Sequence, residues 1–155
     1  MKGPGSLERS LAATVEQAVA ALDVEGVRKE YWDQNEYVYV EKFLPASLVE
    51  SVLIPEVQRL RPEVHRAFIP GHKKSGSISF FTLRAKAPAF MQLYRAPAFI
   101  DFLSRLTNAR LLPCPESDPH ACALYFYTEP GDHMGSHYDT SYYKGARYTI
   151  LLGLI

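Results

Sequence analysis

Gly131-Asp132-His133-Met134-Gly135-Ser136-His137-Tyr138-Asp139-Thr140 is the stretch whose reading decides the fold. It sets a His-x-Asp pair, His137 and Asp139, between two apolar runs, Cys122 to Tyr127 and Tyr148 to Ile155. Along an extended backbone, residues two apart point to the same side. An imidazole nitrogen and a carboxylate oxygen then converge on one point. This is two thirds of a 2-His-1-carboxylate triad, the donor set that holds non-haem Fe(II) and leaves positions open. No His, Asp or Glu follows Asp139, so the third donor is missing downstream.

Two readings of the pair stay open, metal ligation and a hydrogen-bonded surface pair. His133 lies four residues before His137, the spacing that stacks two histidines on one helix face. Gly131 and Gly135 argue against a helix there, and the segment lacks the Glu that a zinc-protease helix carries after its first His. A structural zinc site built from His133, His137 and Asp139 is a further alternative. His72 and His120 fall in loops, and His65 beside Arg66 reads as surface. Tyr125 and Tyr127 share one strand face, where phenols can donate to a carboxylate or simply pack. Tyr142 and Tyr143 could flank the site, and Arg147 suits a strand-edge salt bridge. No nucleophile triad, Walker loop or GxGxxG is present.

Outward from this stretch, composition narrows the function classes. The chain has 155 residues, suited to one domain or part of one. Lys+Arg and Asp+Glu each total 17, for zero formal net charge. That balance argues against a nucleic-acid footprint and against a polybasic membrane surface. Cys114 and Cys122 form neither a CxxC pair nor a disulfide framework, and read as free thiols of a reducing compartment. There is no bilayer-spanning apolar run and no signal-peptide core. The expectation is a cytoplasmic protein.

Apolar residues at Leu7, Leu11, Val15, Val19 and Leu22 predict an amphipathic helix over 7–22, capped by Ser6 and stopped by Gly26. Tyr37 to Val40 reads as a strand. Ser47 and Glu50 form a capping box before a helix that Pro55 kinks or restarts. Pro70 to Gly76 is a loop on composition, whose Lys73 and Lys74 could meet an anion. Ser77 to Leu83 reads as a strand. Pro88 and Pro97 start two helices, through Tyr94 and Thr107, the second with Phe99, Ile100, Leu103 and Leu106 buried and Asn108 as its left-handed stop. Pro113 to Pro119 is a turn-rich linker. Helices first and strands last predict an α+β fold.

Tyr127-Thr128-Glu129-Pro130-Gly131, then His137-Tyr138-Asp139, then Gly145-Ala146-Arg147-Tyr148-Thr149-Ile150-Leu151-Leu152-Gly153-Leu154 resembles the Fe(II)/2-oxoglutarate-dependent dioxygenase superfamily, nearest its prolyl-4-hydroxylase-like branch. Tyr37 to Val40, running into Phe43-Leu44-Pro45, is similar to that branch's opening. The resemblance covers residues 35–155, with its specific part in 124–154. It implies a double-stranded β-helix, a cupin-like jelly roll supported by N-terminal helices. A single domain would span 1–155, with a helical extension over 1–34, helices and first strands over 35–120, and metal-site strands over 121–155. It implies Fe(II) ligands at His137 and Asp139, and Tyr127 and Thr149 beside the co-substrate 2-oxoglutarate. The substrate class would be a peptide, an amino acid or a small molecule, hydroxylated at an unactivated C–H.

The family's second His and its basic residue for the far carboxylate come on later strands, which this sequence lacks. Gly153 stands where many relatives carry an aromatic. A jelly roll needs eight strands, and about half are legible here. The expectation is therefore the N-terminal part of a longer protein, inactive by itself. A non-catalytic jelly-roll binding module is the alternative from another class.

Overall fold

A computed structural model describes residues 4–137 and 144–154 of the chain. Asp139, Tyr142 and Tyr143 lie outside the described residues. Four antiparallel strands and a helical layer make up the fold, which is α+β.

Helix α1 runs Pro4–Ala20 and α2 runs Val24–Asp33. Ser6 is inside α1 rather than capping it. The stop expected at Gly26 is also corrected, because Asp23 intervenes. Its carboxylate accepts the Gly26 N–H at 3.0 Å, an N-cap that starts α2 and leaves Gly26 in its first turn. Tyr37 to Val40 forms no strand. Asn35, Glu36 and Lys42 all have positive φ and turn the chain on both sides of it. Among the described residues no strand lies beside it, so Val38 packs inward while Tyr37 and Tyr39 stay exposed.

The Ser47–Glu50 capping box does not form. Pro45 occupies the cap position of α3, Ala46–Leu48, with no side-chain cap bond. A π-helical stretch, Val49–Leu53, joins α3 to α4, Ile54–Leu60. The wider π turn lets Pro55, which has no N–H to donate, sit in the first turn of α4 without breaking the run. A short 3-10 turn, Arg61–Glu63, ends it.

Strands β1, His65–Ile69, and β2, Lys73–Ile78, form a hairpin in register from His65↔Ser77 to Ile69↔Lys73. Pro70 and Gly71 take the two central turn positions. Gly71 supplies φ +72°, and the His72 N–H donates to the Ile69 carbonyl at 3.0 Å, as a type II turn requires. The loop expected over 70–76 therefore shrinks to the turn. The strand expected over 77–83 ends at Ile78, because Ser79 caps α5, Phe80–Lys86, accepting the Thr82 N–H at 3.4 Å. Phe80 and Leu83, three apart, then face the core together.

Helices α6, Pro88–Tyr94, and α7, Pro97–Thr107, begin and end as the sequence predicts, with Asn108 left-handed at φ 54°. The buried stripe of α7 is turned slightly from expectation. Phe102 and Leu106 lie deepest, Phe99 and Leu103 are partly buried, and Ile100 is peripheral. Strand β3 is only Leu124–Phe126, and β4 is His133–Met134. Both pair with β2, giving the order β1-β2-β3 with β4 on the β3 side. The strand expected over 148–155 is not formed by its described residues. Ile150, Leu151 and Leu152 are exposed, and Leu154 packs against two core clusters.

Ile78, Phe126 and partly buried Leu124 place one sheet face against Val57, Leu60, Phe80, Leu83 and Met91. Leu11 and Val15 of α1 join Leu48, Leu53, Ala89 and Leu93 in a second cluster, and α2 packs on α7 through Val24, Tyr31, Phe102 and Leu106. Buried Glu56 joins the layers. Its carboxylate accepts the N–H groups of Ala89 at 3.1 Å and Phe90 at 3.3 Å, capping the first turn of α6 from another helix.

Candidate functional site

The sheet face away from the helices carries the candidate chemistry. Antiparallel partners share a face, so the pairing Ser77↔Tyr125 puts Tyr125 on the same side as Ser77, Ser75 and Lys73. The side chains agree with that placement. Lys73 Nζ lies 4.9 Å from the Tyr125 ring centroid, a cation–π contact, and the Tyr125 and Tyr127 rings stack at 6.4 Å. Both phenols are solvent-accessible. Ser75 is fully buried, and its hydroxyl has no hydrogen-bond partner among the described residues. One ammonium and two phenols on one face can meet a carboxylate by charge and by O–H donation.

The turn from β3 to β4 is fixed from two strands. Asp132 accepts the N–H groups of Thr128 at 2.8 Å and Glu129 at 3.0 Å. Arg66 of β1 binds both its oxygens and reaches Glu129 at 3.1 Å. The Arg66 guanidinium, with those two backbone donors, holds the Asp132 carboxyl well below the usual carboxylate range. Lys74 Nζ donates to the Pro130 carbonyl at 2.7 Å. Beyond β4, the Gly135 N–H donates to the His72 carbonyl at 2.6 Å. A Cβ on Gly135 would lie 3.0 Å from that oxygen, so the close approach favours glycine.

This approach delivers His137 to the β1–β2 turn. Its Nδ1 is 2.8 Å from the Gly135 carbonyl, and its ring meets the His72 ring edge-on, with centroids 5.6 Å apart and planes at 84°. A carbonyl only accepts, so Nδ1 is the protonated nitrogen and Nε2 carries the lone pair in the neutral ring. Metal-bound histidines use this arrangement, in which a carbonyl fixes the tautomer. His133 Nδ1 makes the same kind of contact with the Gly131 carbonyl at 2.9 Å, on a strand rather than a helix.

Asp139 lies outside the described residues. Thr149 is exposed on the irregular segment 144–154, and Arg147 donates to the His120 carbonyl at 3.1 Å. Among the described residues, no group of three His, Cys, Asp or Glu side chains is arranged to hold a metal. No described helix is long and apolar enough to cross a membrane. Sequence reading missed Arg66 and Asp132. Only the Pro-Gly-Asp order hinted at a self-capped turn, and nothing local marks Arg66 as its partner. No protein-family model, curated protein or solved structure matches the chain.

Proposed function

We propose that the chain belongs to an Fe(II)/2-oxoglutarate-dependent dioxygenase, its helices and strands being part of a jelly-roll domain. His137 and Asp139 would hold the metal, and Tyr127 and Thr149 would line the co-substrate pocket. The observation that carries this reading is the Nδ1 contact of His137 with the Gly135 carbonyl, which presents Nε2 as the donor nitrogen. The donor chemistry fits, since imidazole with carboxylate suits Fe(II). Bound Fe(II), with 2-oxoglutarate and O₂, would supply the oxidising power to hydroxylate an unactivated C–H of a peptide, amino acid or small molecule. The chain's own share is to orient His137 through Gly135, to hold the turn before it through Asp132 and Arg66, and to offer phenols to a carboxylate. The setting is cytoplasmic.

Anaerobic calorimetry with Fe(II) tests this. Weak binding is expected, strengthened by 2-oxoglutarate and lost in His137→Ala. Tight zinc binding indifferent to 2-oxoglutarate would point instead to a structural zinc site. No metal binding at all would point to a non-catalytic binding module.

A further inference from the structure

We infer that His72, upstream of the His-x-Asp pair, supplies a second imidazole to the His137 metal site. The inference rests on the metal-binding reading above and adds a ligand that sequence order does not suggest. Three observations converge on it. The type II turn at Pro70–Gly71 presents His72 at the start of β2, half-buried. The Gly135–His72 backbone bond of 2.6 Å pins the segment leading to His137 against this turn. The two rings then stand 5.6 Å apart.

That separation is compatible with a shared ion. Imidazoles bound at about 2.1 Å, with N–metal–N angles of about 90–120°, place their ring centroids roughly 4.6–5.6 Å apart. The 5.6 Å spacing lies at the open end of this span. Two neighbouring cations are directed elsewhere, Lys73 over Tyr125 and Lys74 onto the Pro130 carbonyl. A two-imidazole site suits Fe(II), Co(II), Ni(II) or Zn(II) rather than Mg(II) or Ca(II).

Co(II) is the probe, titrated into the 155-residue chain and followed by its visible bands and by calorimetry. Both His72→Ala and His137→Ala should weaken binding at least tenfold, with His133→Ala unchanged as the control. NMR of the unaltered chain gives a second readout that needs no variant. Added Zn(II) should shift the ring protons of His72 and His137 together, and not those of His133. If only His137→Ala weakens Co(II), and only the His137 ring shifts, the inference is overturned while the metal reading stands. If the unaltered chain binds neither ion, both are overturned.

Discussion

Arg66 and Asp132 form a two-pronged ion pair across 66 positions of sequence, joining strand β1 to the turn that follows β3. The pair has a pH signature. Asp132 is held below its ordinary pKa first by its hydrogen bonds to Arg66, then by the N–H groups of Glu129 and Thr128. A depressed carboxylate contributes stability that is complete above its unfolded pKa, about 3.9, and is lost as pH falls toward the folded value. Thermal melts of the native chain should therefore fall off below about pH 4. Asp132→Asn should start lower at neutral pH and show a shallower acid decline. Parallel declines would remove Asp132 from the acid response.

Glu56 is expected to be worth more than its place on a short helix suggests. Truncation to Ala leaves the Ala89 and Phe90 N–H groups without their acceptor inside the fold. Urea unfolding should show a loss of roughly 1–3 kcal/mol for Glu56→Ala. Glu56→Gln keeps one acceptor and should lose less. Equal stability of all three proteins would mean that the α6 N-terminus is satisfied another way.

Gly76 marks where two strands and Val64 crowd together. A Cβ there would meet Val64 Cγ1 at 2.5 Å and Phe126 Cβ at 3.2 Å. Val64 is β-branched and cannot swing clear easily. Gly76→Ala should cost roughly 1–3 kcal/mol by overpacking. Combining it with Val64→Ala should recover part of the loss, and a double-mutant cycle measures how much. Additive losses would show that the two positions do not touch.

Tyr94 carries the alkaline counterpart. Burial pushes its phenol up to about 12, with the adjacent Cys114 and Cys122 thiols adding to the rise and the Cys114 N–H, donated at 2.9 Å, offsetting part of it. A phenol with a raised folded pKa contributes stability below its unfolded pKa, about 10, and loses it as pH climbs toward the folded value. Absorbance titration should show the Tyr94 phenol ionising late. In Tyr94→Phe that late step should vanish, and the melting temperature should fall less steeply above about pH 10.

How much was legible follows from the range of each interaction. Pro88, Pro97 and Asn108 declared their helix ends because capping and φ preferences act within a turn. Asp23 over Gly26, and Ser79 over the β-rich texture of Phe80 to Leu83, show local capping overriding composition. Tyr37 to Val40 had the right residues for a strand and lacked a neighbour, which no local pattern can reveal. Lys73 to Gly76 had the wrong composition for a strand and gained neighbouring strands on both edges. At the candidate site, the His137 motif could be read directly. The approach of His72, and the Arg66 clamp on Asp132, depend on contacts far apart in sequence.

Strands β3 and β4 both dock on one edge of β2, so the turn between them leaves and returns to the same rod. Its end-to-end span is therefore set before the turn residues adopt any conformation. Lengthening it would add only a logarithmic closure penalty, while the anchor beyond β4, at Gly135, would keep its place beside His72. Evolution can thus reshape the 127–132 rim without disturbing the histidine that follows it.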